Sequence, residues 1–348
     1  MGHEVVVVTA SDTGEQALQA HGFRHVPVPM SRSGFIPWQE LQTYRALKRL
    51  YLQERPDLVH HVTIKPVIYG SLAATDAGVG AVVNAVPGMG FVFSREGPLS
   101  GVARSGVNLL YRWAFRHPNM RVIFQNTEDM QAFLGHAIVQ REQAVLIRGS
   151  GVKLDQFDAP RTDNPSPVFL MVARMLKDKG VYEYAQAAQR VLRQHEDWQF
   201  LLAGGEDPGN PSSLREAELA ALQTKYGVHW LGHVDDVAAL LLRSDVVCLP
   251  TYYREGLPKC LLEASAAGCA MIATDIAGCR EVVTPGVTGL LVPPKQVAPL
   301  ARAMLTLGED TQLRRRLGDA ALQKAQAIFG VEDVVEHTFR VYEELLAS

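Results

Sequence analysis

Short apolar runs rich in β-branched side chains recur along the whole chain and are separated by longer stretches of helical pattern. The runs lie at residues 5–9, 58–62, 81–85, 122–125, 144–147, 168–173, 199–203, 228–231, 246–250, 270–274 and 289–292. Short strands that are apolar on both faces are typical of parallel sheets covered by helices on both sides. Because these runs alternate with helices, the sequence predicts a doubly wound α/β fold.

The weakest structural pattern lies in the middle of the chain and divides these runs into two groups. Residues 157–167 contain three prolines and several turn formers, which is typical of a linker. We therefore predict a Rossmann-like domain at 1–157, a linker at 158–167 and a second Rossmann-like domain at 168–330. Residues 331–348 have apolar side chains at helical spacing, so we expect a helix that packs back toward the N-terminal domain. Ligands of such sheets bind at the carboxyl ends of the strands, so the two domains should face each other across a cleft.

The composition excludes several classes of protein. The 348 residues are 47% hydrophobic and 20% charged with a net charge of -3, which argues against a disordered chain, a coiled coil or a bulk nucleic-acid binder. No run of about 18 apolar residues occurs, so we expect no membrane-spanning helix. The chain starts without the basic segment of a signal peptide, and its four cysteines form no Cys-x-x-Cys pair. These features predict a cytoplasmic protein without a metal centre.

The most informative segment has the pattern of a strand, a turn and a helix. The strand is expected to end at Pro250, the turn carries Glu255 and Gly256, and a helix begins near Pro258, because proline fits the first helical turn. The backbone amides from Gly256 to Lys259, apart from the proline, are then unpaired donors at a helix N-terminus. Together with the helix dipole they predict an anion-binding site.

Two acids flank this predicted anion site. Glu255 comes directly before it, and Glu263 lies just over one turn inside the helix. A carboxylate repels phosphate but accepts hydrogen bonds from sugar hydroxyls, so a nucleotide sugar is the ligand that reconciles the two features. The positive charge that a diphosphate needs is available from Arg174 and Lys179, which follow the run at 168–173. These two cations would stabilise the charge of a leaving diphosphate.

These residues belong to a series of motifs that resembles glycosyltransferase family 4, whose members are retaining enzymes of the GT-B fold. The motifs occur in order and with matching spacing: Arg174-x4-Lys179-Gly180, Gly232-His233-Val-Asp-Asp236-Val, Glu255-Gly-Leu-Pro-x4-Glu263-Ala, Gly278-x-x-Glu281-x-Val and Gly289-Leu-Leu-Val-Pro. The resemblance covers nearly the whole chain and is strongest over 145–330. Asp207-Pro-Gly-Asn-Pro211 and Ile64-Lys65-Pro66 resemble a bacterial subgroup that builds polysaccharides on polyprenyl-diphosphate carriers.

The resemblance implies roles for residues of the second domain. Arg174 and Lys179 would bind the donor diphosphate, Glu263 would hold the ribose, and Glu255 would contact the transferred sugar and position its anomeric carbon. The turn and the helix start would approach the sugar and phosphates through Gly256, Leu257, Pro258 and Lys259. In a retaining transfer of this kind the departing phosphate oxygen can accept the acceptor's proton, so the protein supplies positioning and charge stabilisation. No Asp-x-Asp pair is present, so we predict no metal and no other cofactor.

The first domain departs from the family pattern at its start. Residues 2–9 resemble the family's second strand, and the first strand with its glycine-rich loop has no counterpart in the sequence. Loss of a central strand would leave unpaired strand edges. We therefore expect either a start upstream of this sequence or a damaged fragment, which leaves the activity of the chain as written in question.

One histidine of the first domain is a candidate catalytic residue. His61 lies in the run at 58–62, where it would orient a substrate or, equally, serve as a hydrogen-bonded structural histidine. A His-Gly pair that many family members carry in the next loop is replaced here by Pro87-Gly88-Met89-Gly90. No catalytic histidine can therefore be assigned to that loop.

Other candidate contacts in the first domain are weaker. Lys65 would meet an acceptor phosphate or is an ordinary surface lysine, and glycines allow close backbone approach to the acceptor at Gly88 and Gly90. Asn126 and Gly151 follow strands on the cleft side and are expected near the donor.

Residues 99–121 combine basic and apolar side chains without any acid. Four arginines, Arg104, Arg112, Arg116 and Arg121, occur there among aromatic and aliphatic residues such as Trp113. A helix of this kind can lie on an anionic bilayer. The alternative is a helix whose apolar face packs on the N-terminal sheet and whose arginines are solvated.

The predicted function is transfer of a hexose or N-acetylhexosamine, with retention, from a nucleoside-diphosphate sugar to a lipid-linked or saccharide acceptor in surface polysaccharide synthesis. Uridine diphosphate is the expected carrier, and a polyprenyl-diphosphate-linked acceptor would place the protein at the inner face of the cell membrane. Two alternatives stay open, a nucleotide-sugar epimerase of the same fold and an inactive remnant that only binds nucleotide sugar. An NAD dehydrogenase is disfavoured, because no Gly-x-Gly-x-x-Gly opens a helix after a strand.

Overall fold

The second half of the chain forms a six-stranded parallel sheet. The computed structural model describes residues 2–10, 15–31, 36–88, 98–253 and 255–347. The strands of this sheet are β7 (Val168–Val172), β8 (Gln199–Ala203), β9 (His229–Trp230), β10 (Val246–Leu249), β11 (Ala270–Thr274) and β12 (Gly289–Val292). Their order is β12-β11-β10-β7-β8-β9, so β7 and β10 lie at the centre.

Helices cover both faces of this sheet. They are α6 (Val181–Leu192), α7 (Glu216–Tyr226), α8 (Val237–Leu242), α9 (Lys259–Ala266), α10 (Ala277–Val282), α11 (Val297–Glu309) and α12 (Thr311–Ile328). Neighbouring residues of a strand point to opposite faces, and Phe169 lies in one buried core with Phe200 while Leu170 lies in another with Leu262. Because both faces are buried, the strands have the continuous apolar pattern seen in the sequence.

Within the described residues, the first half of the chain has six strands in two parallel sheets. They are β1 (Val6–Thr9), β2 (Arg24–Pro27), β3 (Leu58–Val62), β4 (Ala81–Val86), β5 (Met120–Phe124) and β6 (Ala144–Leu146). The helices of this half are α1 (Glu15–Ala20), α2 (Pro37–Glu54), α3 (Ser71–Ala77), α4 (Pro98–Ala114) and α5 (Thr127–Gly135). A π-helical turn, Pro66–Gly70, leads into α3.

The two N-terminal sheets are not paired with each other in the part of the chain that the structure describes. One contains β1 and β2, and the other has the order β3-β4-β5-β6. The residues of β1 are all half-exposed although three of the four are valines. Strand β1 is therefore less buried than β4 of the larger N-terminal sheet, where five of the six residues are buried. Strand β2 was not predicted, because Arg24, His25 and Pro27 interrupt the apolar pattern.

The C-terminal helix α13 (Val331–Leu346) lies on the N-terminal sheet. Val341 and Leu345 pack against Ala81, Val83 and Ile123 in a small buried core. The chain therefore crosses twice between the two halves, and the two crossings meet where the amide of Val331 donates to the carbonyl of Val152 over 3.0 Å. The segment predicted as a linker lies on the C-terminal domain, where Arg161 donates to the carbonyls of Ala267 at 2.5 Å and Ser244 at 2.6 Å.

Candidate active site

The loop between β10 and α9 is held against the turn that follows β7. The carbonyl of Asp178 accepts the amides of Tyr252 at 2.9 Å and Tyr253 at 3.2 Å, and also the hydroxyl of Thr251 at 3.1 Å. Three donors on one carbonyl tie the two segments into a single unit. This arrangement places Lys179 beside Glu255, although 75 residues lie between them in the chain.

A glycine permits this close approach. Gly180 has a φ of +82°, and a Cβ atom at this position would lie 2.2 Å from the carbonyl oxygen of Pro250. Any larger residue would strain the backbone and push β10 and its loop away. The glycine of the Lys179-Gly180 motif is therefore required by the geometry of the two loops.

The centre of the site is an ion pair between Lys179 and Glu255. The ammonium Nζ contacts Oε1 of the carboxylate, and the two side chains are only 14% and 13% exposed. The hydroxyl oxygen of Thr251, which donates to Asp178, also lies 3.3 Å from the same carboxylate oxygen, the alternative acceptor for its single O–H. Such a pair is partly shielded from water, so its charges act more strongly on a ligand than charges at the surface do.

The second predicted cation is placed differently. Arg174 is 58% exposed and pairs with Asp207 over 2.5 Å, on the loop that follows β8. The motif that contains Asp207 therefore holds the guanidinium at the rim of the site. Arg174 would have to exchange this partner to reach a diphosphate.

Glu263 lies on the second turn of α9 and is largely buried. Its carboxylate is 3.5 Å from the ammonium of Lys259, whose own side chain is 68% exposed. Burial raises the pKa of Glu263, and the positive charge of Lys259 opposes this shift. A half-buried carboxylate of this kind is a good hydrogen-bond partner for hydroxyl groups.

The anion-binding amides are fewer than the sequence predicts. Pro258 is the N-cap of α9, but the amide of Leu257 donates to Oε1 of Gln125 in the N-terminal domain at 3.2 Å. The prediction that Leu257 offers a free donor is therefore wrong in this structure, because the other domain takes that bond. The amides of Lys259 and Cys260 remain at the helix start.

The N-terminal domain packs closely against the same loop. A Cβ atom on Gly256 would lie 2.2 Å from the carbonyl oxygen of Pro87, and a Cβ atom on Gly278 would lie 2.4 Å from the carbonyl oxygen of Gly256. The loop thus lies between helix α10 and the ends of β4 and β5. Residues at those strand ends face the centre of the site across the cleft.

Two residues predicted near the donor have structural contacts instead, one with the loop and one in the crossing between the domains. Asn126 is fully buried, caps α5 through the amide of Asp129 and donates to the carbonyl of Gly256 over 3.1 Å. Gly151 lies in the crossing, where a Cβ atom would be 2.5 Å from the Cα of Val331. Gly149 is the crossing glycine that faces the site, because it contacts Leu257.

Glu281 joins the two domains, a role that its motif in the sequence did not reveal. Its carboxylate accepts the amide of Thr127 at 2.8 Å and Nε of Arg148 at 3.1 Å. Burial by itself raises the pKa of Glu281, but these hydrogen bonds and the charge of Arg148 outweigh burial, and the pKa is lowered. Next to it, Arg280 pairs with Glu128 of the N-terminal domain over 2.6 Å.

His61 does not lie in the cleft, so its predicted catalytic role does not agree with the structure. Its side chain is buried, with Nδ1 at 2.9 Å from Oδ1 of Asn84 and Nε2 at 2.9 Å from the hydroxyl of Tyr51. Burial lowers its pKa to about 4. Both nitrogens are occupied, which makes His61 the structural histidine that was the open alternative.

Lys65 is also already paired. Its ammonium donates to Oγ of Ser31 and to Oε1 of Glu40, each over 2.6 Å, and Glu40 is buried. Glu40 compensates the charge of Lys65, so Lys65 would have to exchange this partner to bind an acceptor phosphate. Gly88 is buried with a φ of +121°, and Gly90 lies outside the described residues.

The basic segment forms helix α4, which has two different faces. Its inner face packs Tyr111 and Phe115 into the N-terminal core. Its outer face exposes Leu109 and Trp113, at 66% and 57%. Arg112 and Arg116 are also exposed beside them. The residues at Arg104 and the helix start have no described side chains. Among the helices that the structure describes, none is long and apolar enough to cross a membrane.

Comparison with known proteins relates both halves of the chain to sugar-transferring enzymes. The family "Glycosyl transferases group 1" matches residues 152–324, and the family "Glycosyl transferase 4-like" matches residues 1–127.

Individual relatives can be aligned with most of the chain. The N,N'-diacetylbacillosaminyl-diphospho-undecaprenol alpha-1,3-N-acetylgalactosaminyltransferase of Campylobacter jejuni is 28% identical over 99% of this chain and 92% of its own length. The UDP-Gal:alpha-D-GlcNAc-diphosphoundecaprenol alpha-1,3-galactosyltransferase of Escherichia coli is 26% identical over 79% of this chain and 72% of its own. The crystal structure of Anabaena HepE in complex with UDP superimposes with a TM-score of 0.77 at 19% identity, over 97% of this chain and 92% of that one, which shows the fold.

Proposed function

Because the chain belongs to glycosyltransferase family 4 and has its GT-B fold, we propose that it transfers a hexose or N-acetylhexosamine, with retention, from a nucleoside-diphosphate sugar to a lipid-linked acceptor. Two relatives named above act on sugars linked to diphospho-undecaprenol, which supports an acceptor of that class. The UDP bound by HepE supports uridine diphosphate as the carrier. The proposed reaction uses no metal, and added chelator should leave it unchanged.

The observation that carries this proposal is the partly buried pair of Lys179 and Glu255 at the start of α9. The two charges neutralise each other in the structure, so a donor can enter by exchange. The diphosphate binds the ammonium of Lys179, and a sugar hydroxyl donates a hydrogen bond to the carboxylate of Glu255. The ammonium then has an anionic partner and the carboxylate has a hydrogen-bond donor, so neither charged group is left without a partner.

The same exchange explains how the site would promote the reaction. As the bond between the sugar and the diphosphate breaks, negative charge grows on the phosphate oxygen, and the fixed ammonium of Lys179 stabilises it. That oxygen accepts the proton of the attacking acceptor hydroxyl, so no protein base is needed. Glu255 fixes the sugar so that its anomeric carbon faces the acceptor, and Glu263 holds the ribose.

Calorimetry with a panel of nucleoside diphosphates tests the proposal. Lys179→Ala should weaken binding of the preferred diphosphate by about 1.5–3 kcal/mol, the range for a hydrogen bond to a charged group. Lys177→Ala is the matched control, because Lys177 lies on the same turn but is 46% exposed and 3.8 Å from Glu218. If the wild-type protein binds no nucleoside diphosphate, or if both variants bind equally well, the proposal is wrong.

Glu255→Ala tests the role of the carboxylate. Transfer should be abolished while the affinity for the nucleoside diphosphate stays within a few-fold, because Glu255 contacts the sugar and not the phosphates. Normal turnover by this variant would refute the assigned role.

The acceptor class suggests a membrane surface, and two helices of the N-terminal domain support one. The outer face of α4 carries Leu109, Arg112 and Trp113, and Arg116 lies exposed in the turn that follows the helix. Helix α2 exposes a similar stripe of apolar and basic residues, Trp38, Leu41, Arg45, Arg49 and Leu52. Both helices contact α3, so the two stripes lie on the same side of the sheet. Exposed aromatic and aliphatic residues between arginines fit an anionic bilayer.

Sedimentation with phosphatidylglycerol vesicles at low salt tests this surface. The double variant Leu109→Ser, Trp113→Ser should lose most of the bound fraction, whereas Leu231→Ser, which changes an exposed leucine of the C-terminal domain, should not. Equal sedimentation of both variants would contradict the membrane assignment.

A further inference from the structure

Tyr253 lies in the centre of the site, and no residue within the described ranges forms a hydrogen bond with its hydroxyl. Its backbone amide is fixed at 3.2 Å from the carbonyl of Asp178 and at 3.2 Å from Oγ1 of Thr251. The same Asp178 carbonyl anchors the turn that carries Lys179. Tyr253 and Lys179 are therefore held in a constant relation to each other by short backbone contacts.

The ring of Tyr253 contacts the central cation. Nζ of Lys179 lies 5.7 Å from the centroid of the ring, within the range of a cation–π interaction. When a donor draws the carboxylate of Glu255 away, this ring remains as a partner for the ammonium. It would keep Lys179 in place during the exchange.

The hydroxyl of Tyr253 is affected by the charged side chains of the site. Burial is the main cause that raises its pKa, and Glu255 raises it further, while Lys179 and Arg174 act in the opposite direction. The phenol is therefore neutral at physiological pH and able to donate. Among the residues that the structure describes, its hydroxyl makes no hydrogen bond, which leaves one O–H donor for a ligand.

We propose that Tyr253 is a donor-binding residue whose hydroxyl donates to the sugar-linked phosphate of the nucleoside diphosphate and whose ring holds the ammonium of Lys179. This inference rests on the proposed function, because it assumes a diphosphate at Lys179. The sugar-linked phosphate is the one chosen, since Tyr253 lies beside Glu255, the residue assigned to the sugar. Phosphate oxygens are strong acceptors, so a neutral donor adds binding without further charge.

The neighbouring tyrosine provides a matched control. Tyr252 is anchored to the same Asp178 carbonyl at 2.9 Å. Its ring, however, lies under the ammonium of Lys295, 4.8 Å from the centroid. The two tyrosines thus share a loop and an anchor but face different cations. A change at Tyr252 should reproduce any effect on the loop without touching the diphosphate.

Calorimetry of Tyr253→Phe, Tyr253→Leu and Tyr252→Phe with UDP and UMP separates the two parts of the inference. Tyr253→Phe removes only the hydroxyl, so UDP should bind about ten-fold more weakly while UMP, which lacks the distal phosphate, changes less than two-fold. Tyr253→Leu also removes the ring and should weaken UDP by roughly three-fold more. Tyr252→Phe should bind both nucleotides as the wild type does.

The outcomes distinguish this inference from the proposed function. If Tyr253→Phe binds UDP as tightly as the wild type does, or if UDP and UMP weaken equally, the inference is overturned, whereas the glycosyltransferase assignment stands. If neither the wild type nor Tyr252→Phe binds any nucleoside diphosphate, the proposed function itself fails.

Discussion

His61 and Glu263 are titratable side chains whose pKa values move because burial disfavours the charged form. The consequences differ with their partners. His61 is held by Asn84 and Tyr51 inside the N-terminal core, so its neutral form is a structural element. Glu263 faces the site with Lys259 nearby and keeps its oxygens available to a ligand. The same physical effect therefore keeps His61 neutral in the core and raises the pKa of Glu263 at the proposed site.

The buried histidine predicts how stability depends on pH. The folded pKa of His61 is about 4, below its ordinary value of 6.5, so the unfolded chain takes up the proton first as the pH falls. Stability is complete above about pH 6.5 and is lost down to about pH 4, by at most about 3 kcal/mol.

Urea unfolding at pH 7.5 and pH 5 measures this effect. His61→Leu should be less stable at both values but should lose less stability between them than the wild type. His233→Gln, which changes a histidine with a 78% exposed side chain, should keep the wild-type difference. An unchanged pH difference in His61→Leu would show that another group is responsible.

At the scale of elements, the site depends on two connections that come within van der Waals contact. The turn after β7 and the loop after β10 are joined at the Asp178 carbonyl and meet at Gly180. β7 and β10 are neighbours at the centre of the sheet, so their carboxyl ends open side by side. The positions of Lys179 and Glu255 follow from this adjacency and from the two loops being short.

Gly180→Ala should disrupt the site in two ways. It adds strain at a positive φ, which costs roughly 1–2 kcal/mol, and it forces the loops apart, which adds roughly another 1–3 kcal/mol. Gly286→Ala is the control for strain alone, because Gly286 has a φ of +71° with nothing within 4 Å of its Cβ position.

Thermal unfolding and nucleotide binding together check this prediction. Both variants should unfold earlier than the wild type, with Gly180→Ala lower by at least about 1 kcal/mol. Only Gly180→Ala should also lose diphosphate affinity, by about ten-fold or more. Equal effects of the two substitutions would mean that the contact with Pro250 is unimportant.

At the scale of the whole molecule, two domains are joined by the C-terminal helix and by polar contacts across the cleft. Glu281 reaches the start of α5 and Arg148, and Asn126 and Gln125 hold the loop at Gly256 and Leu257. The residues that we propose to bind the donor belong to the C-terminal domain, whereas these contacts set how the N-terminal domain meets them. Donor binding and transfer should therefore respond differently when the contacts are broken.

Glu281→Ala tests this separation. It leaves the amide of Thr127 and the guanidinium of Arg148 without their common acceptor, which costs roughly 1–3 kcal/mol of interdomain contact. Transfer should fall about ten-fold or more, while diphosphate affinity changes only a few-fold. Glu336→Ala, at an exposed pair with Arg340 on α13, should affect neither quantity. A large loss of diphosphate affinity in Glu281→Ala would place this residue in donor binding instead.

The sequence by itself determined the α/β fold and the positions of most strands, because apolar periodicity is a local property. The predicted strands at 58–62, 199–203, 270–274 and 289–292 have the observed bounds. The motifs also predicted that Lys179 and Glu255 belong to one site, since each lies in a short connection of recognisable pattern, and the structure brings the two side chains into contact. Only the tertiary structure decided which polar groups already have a hydrogen-bond or ion-pair partner. Gln125 accepts a hydrogen bond from the amide of Leu257, Glu40 pairs with Lys65, and Tyr51 and Asn84 form hydrogen bonds with His61. These partners lie 10 to 132 positions apart in the chain, and no local pattern encodes a hydrogen bond that forms only when separate elements pack together.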